Sequence, residues 1–329
     1  MSERLNPWSN RAVETIRKHP VATAVTLATA GALLAANHLS AEKRWRKGGP
    51  TEILTIPHDN QNLTTAGIVF PGMGCSNGEE IANLMNTAVP EKHKHPWSYF
   101  MYDNNGITIE SIAKQFKQFH EERGLKRAVL YASSMGLATA LEVAHLANIP
   151  IGILIMDSSP SCHKDGYGSL IGRAANRIPY NGGLMGRYAA TYTADTIQRG
   201  FGHPFENAKH SIDQTLHGAS PYLIRSQADI LEKFNFERDI ERYRGIIDKN
   251  TRAVYLSPPH GEDKTIRVDN AYEGFRRGFQ ALDLEDNLTR IIVPDSHHVN
   301  ARESIKALGA WLPKAYEETE HLIYSEEDN

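Results

Sequence analysis

Ser134 stands in the stretch RAVLYASSMGLATALEVA at 127–144, where an apolar, β-branched run gives way to a helical pattern. The turn Ala132-Ser133-Ser134-Met135-Gly136 matches the nucleophile-elbow pattern G-x-S-x-G, with Ala132 in place of the first glycine. Such an elbow holds a serine hydroxyl exposed on a sharp turn. The residues two before and two after it must be small, because strand and helix nearly touch there. A helix starting near Met135 aims its N-terminal amides at developing negative charge. The chemistry is attack of a hydroxyl on a carbonyl carbon, and an uncharged serine needs an adjacent base to do it. Ser133 has the wrong register and takes a turn or hydrogen-bonding role. The bland alternative is an ordinary small-residue turn; the position between a strand and a helix argues against it. Neither Cys75 nor Cys162 occupies the elbow or a metal-ligand spacing, so both read as free thiols.

Such a turn needs a sheet behind it. Short apolar runs recur beyond Pro50: TEILTI at 51–56, AGIVF at 66–70, WSYFMY at 97–102, RAVLYA at 127–132, IGILIM at 151–156, AVYLS at 253–257 and TRIIV at 289–293. Several are apolar throughout, as strands buried on both faces are. Helical patterns lie between them at 109–123, 137–147 and 301–312. The alternation predicts an α/β fold, a mainly parallel sheet with helices on both faces. About ninety residues separate the strand ending at Met156 from the next, far more than a crossover needs. This insert, 158–251, holds Gly182, Gly183 and Gly186 and helical stretches at 211–216 and 222–234. It reads as a helical cap over the C-terminal edge of the sheet, with a purely structural insertion as the alternative. The core is then 51–157 with 252–316, followed by a solvated acidic tail, 317–329.

The YASSMG elbow after one strand, FPGMG after an earlier one and YDNNG after another make 51–313 resemble the α/β-hydrolase superfamily of serine esterases and lipases. The resemblance implies a base after the last strand, where two histidines, His297 and His298, stand in VPDSHHVN; loop length favours His298. It implies an acid between serine and histidine in chain order. Asp263 in PPHGEDKTIRVDNA fits, one residue short of the common offset from Gly261, with Glu262 and Asp269 as local alternatives and Asp157 at the preceding strand end as another. The backbone amides of Met73 and Met135 are the implied oxyanion hole, shaped by Gly72 and Gly74. Serine rather than aspartate at the elbow disfavours epoxide and halide chemistry. The resemblance thus implies cleavage of carboxylic esters or thioesters through an acyl-enzyme, with no cofactor and no metal. A non-catalytic binding or assembly protein on the same scaffold, and an acyltransferase, remain rival readings.

Composition bounds the partners. A net charge of -3 over 329 residues gives no basic surplus for nucleic acid. The N-terminal arm, 1–50, differs from the rest. From Pro20 to Ala41 no Asp, Glu, Lys or Arg occurs, and Ala24, Ala28, Ala32 and Ala36 line one helix face. The stretch is long enough to cross a hydrocarbon core and reads as a single-pass membrane anchor. A soluble helix, a cleaved signal or a targeting segment are the alternatives. An anchored, capped enzyme suggests a small-molecule or lipid-like ester substrate. Flanking charges do not orient the segment, and nothing in the sequence sets the oligomeric state.

Overall fold

The computed structural model describes residues 51–57, 67–88, 96–166, 204–217 and 219–324, with scattered positions at 37–43 and 184–196. The chain divides into two compact units, one of 1–44 with 177–216 and one of 45–176 with 217–329.

The larger unit is built on seven strands: β1 (Glu52–Thr55), β2 (Gly67–Phe70), β3 (Ser98–Met101), β4 (Ala128–Ser133), β5 (Ile151–Asp157), β6 (Arg252–Ser257) and β7 (Leu288–Ile292). Their spatial order is β1-β3-β2-β4-β5-β6-β7. β1 runs antiparallel to β3, and every other pairing is parallel. β2, β4 and β5 are buried at every position, as apolar runs between two helical layers should be.

The helices are α1 (Glu79–Ala88), α2 (Ile109–Glu122), α3 (Gly136–Ala147), α4 (Pro204–His217), α5 (Pro221–Lys233), α6 (Phe236–Tyr243), α7 (Val268–Ala281), α8 (Ala301–Ala307) and α9 (Trp311–Ile323). α2 buries Ile112, Ala113, Phe116, Phe119 and His120, one stripe at helical spacing. α3 is buried at nine of its twelve positions. Its small residues let it lie tight against the sheet, with the elbow at its N-terminal end. α4 falls in the smaller unit but for its last residue.

α5 and α6, within 158–251, fall in the larger unit. The structure departs from the sequence reading in two places. The pattern at 301–312 is two helices, broken around Gly309. Pro313 sits in the first turn of α9, where its missing N–H leaves no helical bond unmade. The expected acidic tail is helix through Ile323, with Thr319 and Ile323 buried and Ile323 O accepting from Lys126 N at 2.8 Å. The segment at 20–41 lies outside the described residues, as do Gly182, Gly183 and Gly186. Among the described residues no helix is long and apolar enough to cross a membrane.

Candidate active site

β4 ends at Ser133 and α3 begins at Gly136, so Ser134 and Met135 alone make the turn between them. Ser134 has φ 50°, a left-handed conformation that a side chain adopts at a cost of about 1–2 kcal/mol. Its N–H donates to Asp157 O at the end of β5 at 2.8 Å, which fixes the strained turn. Gly136 is required by contact: a Cβ there would lie 2.3 Å from Phe70 O and 2.9 Å from Pro71 O. The elbow therefore presses on the loop after β2, the same loop that carries Met73.

Ser134 Oγ lies 3.0 Å from His298 Nε2, and His298 Nδ1 lies 2.9 Å from Asp263 Oδ2. The other carboxylate oxygen of Asp263, Oδ1, accepts from Thr265 N at 2.7 Å and Ile266 N at 2.9 Å. An ionised carboxylate only accepts, so it places the imidazole proton on Nδ1 and leaves Nε2 to take the serine proton. The Asp263 side chain has no exposed surface, whereas 23% of the His298 side chain is exposed.

The alternatives sort by position. His297 is 81% exposed, with its nearest carboxylate, Glu262, at 4.0 Å. Asp269 is taken by His260 and Arg290, which hold its carboxyl below the usual range. Asp157 faces Tyr131 at 2.5 Å and Ser304.

The loop 72–75 is a tight turn closed by Cys75 N donating to Gly72 O at 3.2 Å. Gly74 has φ 83°, the value that the third position of a type II turn demands. A Cβ on Gly72 would sit 3.2 Å from Ser134 Cβ, so this loop and the nucleophile are in contact. Among the described residues, neither the Met73 nor the Met135 amide has a hydrogen-bond acceptor. Cys75 is an exposed free thiol. No group of metal-ligating side chains occurs among the described residues.

No protein-family model and no curated protein matches the sequence. Solved structures do match the fold. A carboxylesterase of the ammonia-oxidising thaumarchaeon Nitrososphaera gargenis superposes with TM-score 0.57 at 9% identity, over 81% of this chain and 95% of its own. A monoacylglycerol lipase of Paleococcus ferrophilus gives 0.50 at 16%, over 81% and 100%. A homoserine O-acetyltransferase of Staphylococcus aureus gives 0.51 at 15%, over 81% and 88%. The chain has the α/β-hydrolase fold.

On this α/β-hydrolase scaffold, positions without a sequence motif also hold the site. Ser158 (φ 47°) and Val299 (φ 46°) are strained like Ser134. Positive φ at a β-branched residue is an outlier. The Val299 N–H donates to Ser158 Oγ at 3.4 Å, which ties the histidine loop to the end of β5. Below it, burial holds the Asp157 carboxyl above the usual range, against the pull of the Tyr131 and Ser304 hydrogen bonds. Gln227 of α5, fully buried, bonds the Met73 turn on both sides. No local pattern in PYLIRSQADILEK marks it as buried.

Proposed function

We propose that this protein is a serine hydrolase acting on carboxylic esters or thioesters through an acyl-enzyme. The observation that carries the reading is the unbroken chain from Ser134 Oγ to His298 Nε2 at 3.0 Å and from His298 Nδ1 to Asp263 Oδ2 at 2.9 Å. Ser134 Oγ attacks the carbonyl carbon as its proton passes to His298 Nε2. The carbonyl π pair moves onto oxygen, which the Met73 and Met135 amides receive. Collapse expels the alkoxide or thiolate, which leaves with the proton from His298. Water then attacks the acyl carbon, giving one proton to His298, and Ser134 leaves as the alcohol with that proton. Asp263 holds the imidazole orientation throughout and stabilises its cationic form. No step calls for a metal or cofactor. The solved structures that share the fold include a carboxylesterase and a lipase, which favours ester substrates, small or lipid-like. Transfer to an alcohol instead of water is the second reading, since an O-acetyltransferase shares the fold. Association with a membrane through 20–41 is part of the proposal as a route to apolar substrates.

The test is fluorophosphonate labelling of the full chain beside Ser134→Ala and His298→Ala, with folding checked by circular dichroism. Labelling of the wild type that is lost in both folded variants is expected. A folded wild type that does not label overturns the hydrolase reading and favours a binding protein. Product analysis with and without an added alcohol separates hydrolysis from transfer.

A further inference from the structure

We propose that Gln227 is a positioning residue of the oxyanion hole, a clamp from α5 that sets the direction of the Met73 amide. The proposal rests on the reading of Ser134 as the nucleophile.

Three bonds converge on this one side chain. Gln227 Oε1 accepts from Gly74 N at 3.0 Å, and Nε2 donates to Gly72 O and Cys75 O, each at 3.4 Å. The residue is fully buried, and a primary amide offers just this mixture of acceptor and donors. The consequence follows from peptide planarity. In a trans peptide the C=O and the following N–H point in opposite directions on one rigid plane. Gly72 O is held by two donors, Cys75 N at 3.2 Å and Gln227 Nε2. Fixing Gly72 O therefore fixes the Met73 N–H. The next peptide plane, Met73–Gly74, is fixed by the Gly74 N–H bond to Gln227. That bond selects the turn form with Gly74 at φ 83° over its flipped alternative. Both planes flanking Met73 are thus held by one side chain.

The clamp's own placement is equally determined. α5 is capped by Ser220, whose Oγ accepts from Leu223 N at 3.0 Å and donates to Asn104 O. Nearly two turns on, Ser226 Oγ accepts from Ile107 N at 3.0 Å. Ala219 N donates to Gly74 O at 3.3 Å. α5 is therefore stitched to the loops after β2 and β3, and Gln227 sits on its buried face between them. An oxyanion donor works by being aimed before the charge appears, so a loosened Met73 plane lowers the rate without weakening ground-state binding.

The experiment compares wild type, Gln227→Met and Gln227→Asn. Methionine matches the length without polar atoms; asparagine keeps the amide but not the reach, and serves if the methionine variant does not fold. The readouts are kcat and KM on a short p-nitrophenyl ester, the rate of fluorophosphonate labelling, the pH midpoint of kcat/KM, and hydrogen exchange of the 72–76 amides. Loss of an oxyanion donor costs about 10²–10³ in kcat, and misalignment should cost about ten- to a hundredfold. KM should stay within about twofold and the pH midpoint should not move, because the His298–Asp263 pair is untouched. Exchange at 72–76 should accelerate alone. A folded variant with unchanged kcat and labelling rate, or one whose kcat, KM and melting temperature all deteriorate together, overturns the clamp. An unlabelled wild type overturns the hydrolase reading itself, and the clamp's catalytic purpose with it, whatever the variants do.

Discussion

Asp263→Asn tests whether the acid sets the histidine tautomer. The replacement is isosteric, and the surroundings dictate which way the new amide faces. Oδ1 accepts from Thr265 N and Ile266 N in a buried site. An amide NH2 turned toward those donors would leave two buried N–H groups unpaired, at about 1–3 kcal/mol each. The asparagine oxygen therefore stays on the two amides, and its NH2 faces His298 Nδ1. A donor there forces His298 Nδ1 to accept, which moves the ring proton to Nε2, facing Ser134 Oγ. The serine then has no base. A comparable carboxylate-to-amide change in a triad lowers kcat by about 10⁴, which is about 5 kcal/mol at 1.36 kcal/mol per tenfold. Because both backbone bonds survive, the melting temperature should stay within a few degrees of wild type. Initial rates on a p-nitrophenyl ester and a thermal melt measure the two. An Asp263→Asn enzyme that is folded and keeps more than a tenth of wild-type kcat would refute the tautomer argument and move attention to Asp157.

Two further outcomes are expected. Ser134→Gly should melt above Ser134→Ala by about 2 °C, because alanine keeps the strained φ of 50° and glycine does not; a reversed order in thermal melts would show that the elbow carries no such strain. His120 is held down to a pKa of about 4, chiefly by burial, with Nδ1 on Phe116 O and no partner for Nε2 among the described residues. Its charge is suppressed in the folded state, so the unfolded chain binds more protons between pH 6.5 and 4. Stability is kept above that window and falls by about 3 kcal/mol as pH descends through it. His120→Phe, which suits the neighbouring Phe116 and Phe119 rings, should flatten that part of the acid limb in urea melts at stepped pH. Parallel limbs for the two proteins would refute it.

The elbow and the strand rhythm were legible because both are written in local pattern. AVLYAS is apolar over one strand, and Ala132 and Gly136 bracket a turn whose spacing is steric. His298 and Asp263 were reached through loop order alone, which left His297, Glu262, Asp269 and Asp157 standing beside them. What separates those candidates is three-dimensional: Arg290 claims Asp269, solvent surrounds His297, and Tyr131 covers Asp157. Gln227 was invisible for the same reason. Its partners stand more than 150 residues away in sequence, and nothing in PYLIRSQADILEK marks one polar residue as buried.

The strained positions share a physical logic. Ser134, Ser158 and Val299 all hold positive φ, and they lie after β4, after β5 and beside His298. Each is held by a bond that crosses to another strand's end: Ser134 N to Asp157 O, Ser158 N to Leu256 O, and Val299 N to Ser158 Oγ. Strain of this kind persists only where the surroundings over-determine it. Here the over-determination comes from parallel strands in fixed register, Ser133 opposite Asp157 and Asp157 opposite Leu256. The register brings the serine turn and the histidine loop to one sheet edge, and the cross-strand bonds stop either from relaxing away from the other. The 3.0 Å Ser134–His298 contact is thus a property of the sheet as much as of the two side chains.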